Sequence, residues 1–374
     1  MRDTQPVRGP EHLKQIPLHS LHAEFGAKFG PFAGYDMPLF YGAGVLQEHL
    51  HTREHAGLFD ISHMCHVDVT GPGAAGFISR LCPYDAAGQA IGAGRYTFFL
   101  NEEAGIIDDL IVTRLGEQRY RIVCNAGCAD KDIAHLSAHA GVFDVKVEPL
   151  QRVFLALQGP QAKAVLTAAG LDASALAFMQ AMEPKDGWPN GSFVSRSGYT
   201  GEDGFEIALP FADGEVFARK LLADTRVLPI GLAARDSLRL EAGLSLYGQD
   251  LAEDITPMEA GLIWAIPKPL RTDGEFIGAD ALAAKIAEGR KRKRVGLKPK
   301  GPSAPIRAHA ELFDASGNRI GEATSGGFGP SCGHPVALGL VIADAAEPFF
   351  AEVRAKRIEM ETTPLPFVPH RYKR

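Results

Sequence analysis

The sequence predicts a mixed α+β protein of two or three domains, and three observations support this prediction. The chain has 374 residues, which is more than a single hydrophobic core usually organises. In the earlier part of the chain, short runs typical of strands are interleaved with stretches typical of helices. From residue 295 onward short strands and glycine turns dominate, so we expect a small β-barrel or sandwich at the end.

The first half of the chain supplies most of the predicted helices and strands. Pro31, Gly34 and Pro38 interrupt regular structure between two helices, and the turn at 101–105 separates the two strands of a hairpin. Gly170 is suited to ending the helix that begins after Pro160. The predicted elements are helices at 18–29, 46–58 and 74–81, strands at 66–70, 95–100, 105–112 and 120–124, a helix from about 130, and strands at 143–147 and 153–157.

The following segment predicts a second hairpin and a charged helix. Residues 193–199 alternate in polarity, Asp203-Gly204 is a typical hairpin turn, and residues 205–209 return as a strand. That return strand puts Glu206 on the face opposite its apolar neighbours. A helix over 233–246 carries Arg235 and Arg239 one turn apart. The two cations repel unless carboxylates or an anionic ligand separate them, and Asp236 and Glu241 are candidate structural partners.

Composition excludes some classes of function. The chain is 45% hydrophobic and 22% charged, which is ordinary for a soluble globular protein, and its net charge is -6. That charge argues against general nucleic-acid binding, which needs a basic face, but it leaves room for a basic pocket. No apolar run approaches membrane-spanning length and the N-terminus lacks the apolar core of a signal peptide. We therefore expect a cytoplasmic protein, or a mitochondrial matrix protein if the source is eukaryotic.

The five cysteines indicate neither a disulfide framework nor a zinc knuckle. They are odd in number and scattered, and no second pair follows the pair at 124 and 128. This pattern fits a reducing compartment.

Two adjacent carboxylates interrupt the strand at 105–112. Because successive side chains point to opposite faces, Asp109 shares a face with Ile107 and Ile111, and Asp108 lies on the other face. A carboxylate among apolar neighbours is costly unless it is paired or its pKa shifts. One of the two is therefore a buried structural group or a functional one.

Two short patterns suggest cofactor sites that their context does not support. Residues 51–55 match H-x-x-E-H, but no further ligand with supporting context follows, so we favour a solvated helix face over zinc. Residues 71–76 match G-x-G-x-x-G, but the preceding strand alternates in polarity and no acidic residue ends the next candidate strand. We therefore favour a strand-to-helix turn.

The basic run at 290–294 predicts a solvated domain boundary, with a docking patch as the alternative.

Taken in order, several motifs resemble one family. They lie at residues 32–38, 58–64, 105–110, 155–160, 198–204, 234–243 and 324–326, and the ending at 366–372 is similar to the form found in mitochondria and related bacteria. The chain resembles the aminomethyltransferase (T-protein) family of the glycine cleavage system from residue 17 to residue 372. One departure is Gly329, where the family pattern has serine or a similar residue before Pro330.

The resemblance implies an α+β fold, a three-domain cloverleaf around a central folate channel. Residues 1–55 and 140–275 are expected to form a discontinuous, ferredoxin-like folate-binding domain. Residues 56–139 are expected to form a second α/β lobe, and residues 276–374 a C-terminal β-barrel domain.

The resemblance also implies a reaction. The enzyme would transfer the methylene carbon from the aminomethyl-lipoyl arm of the H-protein to tetrahydrofolate, the co-substrate, with release of ammonia and no metal. Its partners would be the lipoylated H-protein and tetrahydrofolate, with no nucleic acid and no membrane. By position, the catalytic residue would be Asp109, and the substrate- or folate-binding residues would be Glu206, Arg235, Tyr372, Tyr96, Asn125 and Tyr199.

Two alternatives remain within related proteins. One is a folate-dependent demethylase of a small methylated substrate, and the other is a non-enzymatic folate-binding iron–sulfur assembly factor. The latter carries a Lys-Gly-Cys-Tyr segment, whereas Gly127-Cys128 is here followed by Ala129. The complete motifs at 198–204 and 234–241 favour the aminomethyltransferase over the demethylase.

Overall fold

The computed structural model describes residues 13–353 and 356–373, and the statements below concern those residues. Its helices are α1 (His19–Glu24), α2 (Val45–Glu54), α3 (Ala74–Leu81), α4 (Ala129–Ala140), α5 (Ala162–Ala168), α6 (Phe211–Leu222), α7 (Leu232–Glu241), α8 (Leu270–Asp273) and α9 (Ala279–Glu288). No helix in this part of the chain is both long enough and apolar enough to cross a bilayer.

The strands alternate with these helices until the last part of the chain. They are β1 (Lys14–Gln15), β2 (Lys28–Phe32), β3 (Tyr35–Phe40), β4 (Ala56–Asp60), β5 (Cys65–Thr70), β6 (Gly94–Leu100), β7 (Ile106–Gly116), β8 (Arg119–Cys124), β9 (Lys146–Leu150), β10 (Val153–Gln158), β11 (Ala181–Met182), β12 (Phe193–Ser195), β13 (Gly204–Leu209), β14 (Val227–Pro229), β15 (Arg292–Pro299), β16 (Glu311–Phe313), β17 (Arg319–Gly329), β18 (His334–Ile342), β19 (Phe349–Val353) and β20 (Lys356–Thr363).

Three open sheets and one closed barrel organise the described residues. A six-stranded sheet has the order β11-β12-β13-β10-β4-β14, a five-stranded sheet has the order β6-β7-β8-β5-β9, and β1-β3-β2 form a small third sheet. The last six strands close into a barrel in the order β15-β18-β17-β16-β19-β20. The predicted mixed α+β class and the C-terminal barrel are confirmed.

Each large sheet buries its own apolar face. Phe205 and Ile207 of β13 pack with Val165 and Leu166 of α5 in one core, so Glu206 between them points to the opposite face, as predicted. Under the five-stranded sheet, apolar residues of β5, β7 and β8 pack against α3. The second face of the five-stranded sheet is thereby left for the cavity described below.

Sheet membership bears on the predicted domain boundaries. Strand β4 pairs with β10 in the six-stranded sheet, although the boundary at 55/56 would assign it to the second lobe. Strand β9 pairs with β5 in the five-stranded sheet, although the boundary at 139/140 would assign it to the folate-binding domain. Strand pairing therefore supports boundaries between these two units after Asp60 and after Leu150. The domain division itself stays a prediction, and residues 1–12 of its first segment lie outside the described residues.

Several predicted elements end earlier than expected. The helix predicted at 18–29 ends at Glu24, because Gly26 has φ of 74° and the chain then pairs as β2 with β3. The helix predicted at 46–58 ends at Glu54, since the next residues enter the sheet as β4 between β10 and β14. The helix predicted at 233–246 ends at Glu241 and is followed by Gly243 with φ of 66°, a conformation that favours glycine.

The glycine pattern at 71–76 is a strand-to-helix turn, as predicted. Strand β5, which precedes it, is antiparallel to both of its neighbours, which excludes a parallel dinucleotide-binding unit. A Cβ at Gly71 would collide with the carbonyl oxygen of Asp144, and one at Gly73 would lie 2.9 Å from the Asp144 amide nitrogen. The glycines therefore allow residues 143–145 to approach the turn, and the strand predicted at 143–147 starts only at Lys146.

Candidate active site

A cavity of about 1790 Å³ is lined by residues of the six-stranded sheet, the five-stranded sheet, α7, the barrel and the C-terminal segment. The structure brings all seven predicted site residues to its wall, namely Asp109, Glu206, Arg235, Tyr372, Tyr96, Asn125 and Tyr199. These residues are far apart in the chain, so their convergence is a property of the fold.

Asp109 is presented to the cavity by the alternation of β7. Tyr96 on the neighbouring strand donates its hydroxyl to Asp109 Oδ2 at 3.0 Å, and Asn125 Nδ2 donates to Oδ1 at 3.0 Å. Burial and the charge of the adjacent Asp108 raise the pKa of Asp109 to about 7. A carboxyl with that pKa exchanges a proton readily at neutral pH.

Asp108 lies on the opposite face of the same strand and is fully buried. The backbone N–H of Asn125 donates to Asp108 Oδ2 at 3.0 Å, and Asn125 Nδ2 donates to Asp108 Oδ1 at 2.9 Å. The Asn125 amide therefore contacts both carboxylates and fixes one relative to the other. The two aspartates have different environments, as the strand pattern predicted.

Glu206 and Arg235 face the same cavity from β13 and α7. Ser197 donates its hydroxyl to Glu206 Oε2 at 2.6 Å. Burial raises the pKa of Glu206, while the Ser197 hydrogen bond and the Arg235 cation act in the opposite direction. The carboxylate is thus held by one hydroxyl donor and has acceptor capacity to spare.

Arg235 is short of hydrogen-bond partners. Its guanidinium lies over the Tyr199 ring, 4.9 Å from the centroid, and its Nη1 atom is buried with no acceptor among the described residues. Burial lowers the pKa of Arg235, and Glu206 partly offsets this. An unsatisfied buried donor in a cavity wall indicates a position where a ligand atom would accept.

Tyr199 and Tyr372 form aromatic parts of the wall. Tyr199 donates its hydroxyl to the Ser245 carbonyl oxygen. Tyr372 stacks on Phe178 with ring centroids 4.0 Å apart and an interplanar angle of 7°. The C-terminal segment that carries Tyr372 is anchored by the backbone N–H of Arg371, which donates to the Gly201 carbonyl at 2.8 Å.

Sequence reasoning missed several cavity residues. His63 is buried, its Nδ1 has no partner among the described residues, and burial together with Arg235 lowers its pKa to about 4. Trp264 is 64% exposed and stacks on Tyr96, with ring centroids 5.8 Å apart. His63 lies in the motif at 58–64, which was a signal of importance without an assigned role.

The solvated-boundary interpretation of residues 290–294 is wrong for two of its arginines. Arg294 lines the cavity and donates Nη2 to the Gly243 carbonyl at 2.6 Å. Arg292 pairs with Glu259 at 2.9 Å. Both side chains lie on the same face of β15, because they are two residues apart. A strand assignment that started at residue 292 would have predicted this shared face.

The histidines at 51 and 55 are engaged in local contacts. His51 Nε2 donates to the Arg226 carbonyl at 3.0 Å, and Gln161 Nε2 donates to His55 Nδ1 at 3.1 Å. The same helix buries Glu48, His49 and Arg53 at other positions, whereas Glu54 of the pattern is exposed and His51 and His55 are half-buried, which agrees with a partly solvated face. Across residues 13–353 and 356–373, no group of three or more His, Cys, Asp or Glu side chains is placed to hold a metal ion.

Two family models match regions of the chain that contain most of the cavity-lining residues. A family model described as the GCVT N-terminal domain matches residues 18–269, and one described as the Glycine cleavage T-protein C-terminal barrel domain matches residues 292–369. The second match coincides with the six-stranded barrel.

Whole proteins are similar over nearly the full chain. The mitochondrial aminomethyltransferase of Gallus gallus is 43% identical over 373 residues, covering 97% of this chain and 94% of the relative. That of Pisum sativum is 41% identical over 373 residues, covering 96% and 90%. The crystal structure of the glycine cleavage system aminomethyltransferase T from Bartonella henselae is 55% identical with a TM-score of 0.94, covering 97% of this chain and 100% of that one.

Proposed function

Because this chain belongs to the glycine cleavage T-protein family, we propose that it is a tetrahydrofolate-dependent aminomethyltransferase of the glycine cleavage system. It transfers the methylene carbon from the aminomethyl-lipoyl arm of an H-protein to tetrahydrofolate and releases ammonia. Beyond the family, one observation carries the proposal. A proton-exchanging carboxyl, Asp109, shares a cavity with a buried acid and an unsatisfied buried cation, Glu206 and Arg235.

The cavity wall suits a reduced folate. A pterin presents a row of N–H groups, and the Glu206 carboxylate can accept two of them in a charge-assisted pair. Arg235 Nη1 needs an acceptor, which a ligand carbonyl, nitrogen or carboxylate supplies. The aromatic rings of Tyr96, Tyr199 and Tyr372 offer flat apolar surfaces beside these polar groups.

The size of the cavity supports two ligands at once. Small-molecule pockets commonly have volumes of about 300–1,000 Å³, and this one is larger, at about 1790 Å³. Space therefore remains beside the folate for an arm that enters from a partner protein. We propose the lipoylated H-protein as that partner.

Asp109 is the group that handles the proton. Its pKa of about 7 allows the carboxyl to give or take a proton at a reacting nitrogen as ammonia leaves. General acid–base catalysis of this kind contributes about 10²–10⁴-fold. Tyr96 and Asn125 hold one oxygen each, so the carboxyl plane is fixed before substrates bind.

The proposed compartment is reducing. The five cysteines are free thiols. This supports the cytoplasm, or the mitochondrial matrix in a eukaryote, as the place of the reaction.

The decisive experiment supplies the purified protein with tetrahydrofolate and H-protein loaded with the aminomethyl group, and follows methylenetetrahydrofolate and ammonia. We expect formation of both, and no product when the H-protein is omitted. Turnover with a small methylated amine in place of the H-protein would indicate the demethylase. Folate binding without either turnover would indicate the non-enzymatic alternative.

A further inference from the structure

Two of the free cysteines face each other across the five-stranded sheet. Cys65 is the first residue of β5, Cys124 is the last residue of β8, and the two are direct partners in the antiparallel register. Directly opposed residues point to the same face of a sheet, so both side chains lie on one face. The Cys124 thiol is directed across the ladder and donates to the Cys65 carbonyl oxygen at 3.7 Å.

The spacing of opposed strand residues is close to that of a disulfide. Opposed residues of an antiparallel pair have Cα atoms about 4.5–5.5 Å apart and Cβ atoms about 4.5–5.5 Å apart. A disulfide needs a Cα separation of about 4.4–6.8 Å and a Cβ separation of about 3.5–4.5 Å. The Cα spacing therefore already suits a bond, and the Cβ atoms need to approach by about 1 Å.

The place of the pair in the sheet allows this approach. Cys65 and Cys124 are the last pair in the register of β5 with β8, and the register of β5 with β9 starts only at His66. The two strand ends can therefore move together while the rest of the ladder keeps its hydrogen bonds.

The two thiols differ in access and in acidity. Cys65 is half-buried, whereas Cys124 is fully buried. Contact with Cys124 lowers the pKa of Cys65, and contact with Cys65 together with burial raises the pKa of Cys124. Because the thiolate is the form that attacks a disulfide, Cys65 is the thiol that reacts first with an external oxidant.

The pair is coupled to the cavity through Asn125, the residue that follows Cys124. The backbone N–H of Asn125 donates to Asp108 at 3.0 Å, and its side-chain amide donates to Asp108 at 2.9 Å and to Asp109 at 3.0 Å. Such hydrogen bonds extend to an N···O distance of about 3.2 Å. A shift of about 1 Å at Cys124 would therefore break some of these hydrogen bonds and remove a donor from Asp109.

We infer that Cys65 and Cys124 form a thiol switch, in which a cross-strand disulfide displaces Asn125 and lowers turnover. The oxidant is a low-molecular-weight disulfide of the glutathione type. The Cys65 thiolate attacks one sulfur of the oxidant, the S–S bond of the oxidant breaks, and one thiolate leaves and takes up a proton. Cys124 then loses its proton and attacks the Cys65 sulfur, and the second thiol leaves. Two protein thiols are oxidised while one disulfide is reduced to two thiols, and an added dithiol reverses the change.

Peptide mapping tests the bond itself, which does not depend on the proposed function. The full chain is treated with oxidised glutathione, the remaining thiols are alkylated, and the protein is digested with trypsin. Residues 54–80 should be linked to residues 122–131, and fragmentation of the second peptide should assign the bond to Cys124 and not to Cys128. A bond to Cys128, a mixed disulfide that stays on Cys65, or no bond at all overturns the inference.

Variants provide the controls for the mapping. Cys65→Ser and Cys124→Ala should form no link between these peptides. The matched control is Cys332→Ser, which removes another half-buried thiol and should leave the link as in the wild type. Loss of the link in Cys332→Ser also overturns the inference.

The effect on the site rests on the proposed function and is measured as turnover. After the oxidant is removed, the initial rate should be at least about 10-fold lower than in the reduced protein, because displacements of about 1 Å cost up to about 10²-fold. Dithiothreitol should restore the rate, and Cys65→Ser should not respond to the oxidant. Full turnover in the bonded protein overturns the inference.

Hydrogen exchange measures the displacement of Asn125 without any substrate. The Asn125 amide hydrogen is held by Asp108, so exchange within residues 122–131 should be faster in the bonded protein than in the reduced one. Unchanged exchange in the bonded protein overturns the inference. If the reduced protein shows no turnover, the proposed function fails, and the mapped bond and the hydrogen exchange then decide the inference.

Discussion

Arg235 and Arg239 lie one turn apart on α7, yet the two guanidinium groups differ in how many partners they have. Arg239 is 1% exposed and donates to Asp250 at 2.8 Å, to Asp236 at 2.8 Å and to Ser325 at 2.9 Å. Arg235 has a tyrosine ring beneath it and a buried nitrogen with no acceptor among the described residues. A buried charge that the protein fully pairs is structural, whereas one left short of partners marks a place for a ligand.

The same contrast separates other charges of the molecule. Glu241 was a candidate partner for these two arginines, but it instead accepts from His49 at 3.0 Å and from Arg53 at 2.9 Å, away from the cavity. Within the described part of the chain, Glu206 on the cavity wall accepts only from the Ser197 hydroxyl. Paired charges therefore connect helices α2 and α7, whereas Glu206 and Arg235 on the cavity wall are short of partners.

The largest expected effect is a loss of stability when Arg239, the fully paired arginine, is replaced. Replacing Arg239 by methionine leaves Asp250, which is 3% exposed, as a buried carboxylate without its cation. Breaking a buried pair from one side typically costs about 3–5 kcal/mol of stability. Urea unfolding should show a loss of this size.

The matched control for Arg239→Met is Arg319→Met on the barrel surface. Arg319 pairs with Glu311 at 2.9 Å, but both side chains are more than half exposed. Such pairs contribute about 0–1 kcal/mol. Equal losses in the two variants would show that burial does not distinguish the pairs.

Asp109→Asn tests the role of the cavity-facing carboxylate by its effect on turnover. Asparagine keeps the shape but removes the charge and the proton-accepting capacity, so kcat should fall by roughly 10²-fold or more while folate affinity changes far less. Asp108→Asn should mainly lower the melting temperature, because that side chain is fully buried and holds Asn125. The assignment of faces is wrong if turnover survives in Asp109→Asn and is lost in Asp108→Asn.

Arg235→Met should separate binding from stability. No protein acceptor is lost, so the free energy of unfolding should stay the same or rise. Folate affinity should fall by about 1.5–3 kcal/mol, the usual range for a hydrogen bond to a charged group. Calorimetric titration with tetrahydrofolate measures this, and Arg235→Lys is the control that keeps the charge without the planar fork. A stability loss like that of Arg239→Met would remove the distinction between the two arginines.

Glu206→Gln is expected to have the smallest effect. The amide keeps the shape and the contact with Ser197 but loses the charged acceptor, which should cost on the order of 1–3 kcal/mol of folate affinity. Unchanged affinity in the same calorimetric titration would place the pterin elsewhere in the cavity.

Local sequence patterns determined which face of a strand each charged side chain occupies. Strand alternation alone separated Asp108 from Asp109 and placed Glu206 opposite Phe205 and Ile207, and the structure confirms both. The change from interleaved elements to short strands predicted a small β-barrel or sandwich, and the structure has the closed barrel. These features depend on the period of the backbone, which a few neighbouring residues reveal.

Tertiary structure decided which charges are free and where elements end. Arg239 is paired with the Asp250 carboxylate 11 positions away and donates to the Ser325 hydroxyl 86 positions away, whereas Arg235 has no such partners among the described residues, although the two look alike in the sequence. Residues 56–60 became a strand because β10 and β14 were available on either side. Partners distant in the chain set these outcomes, because the free energy of a buried charge depends on what surrounds it.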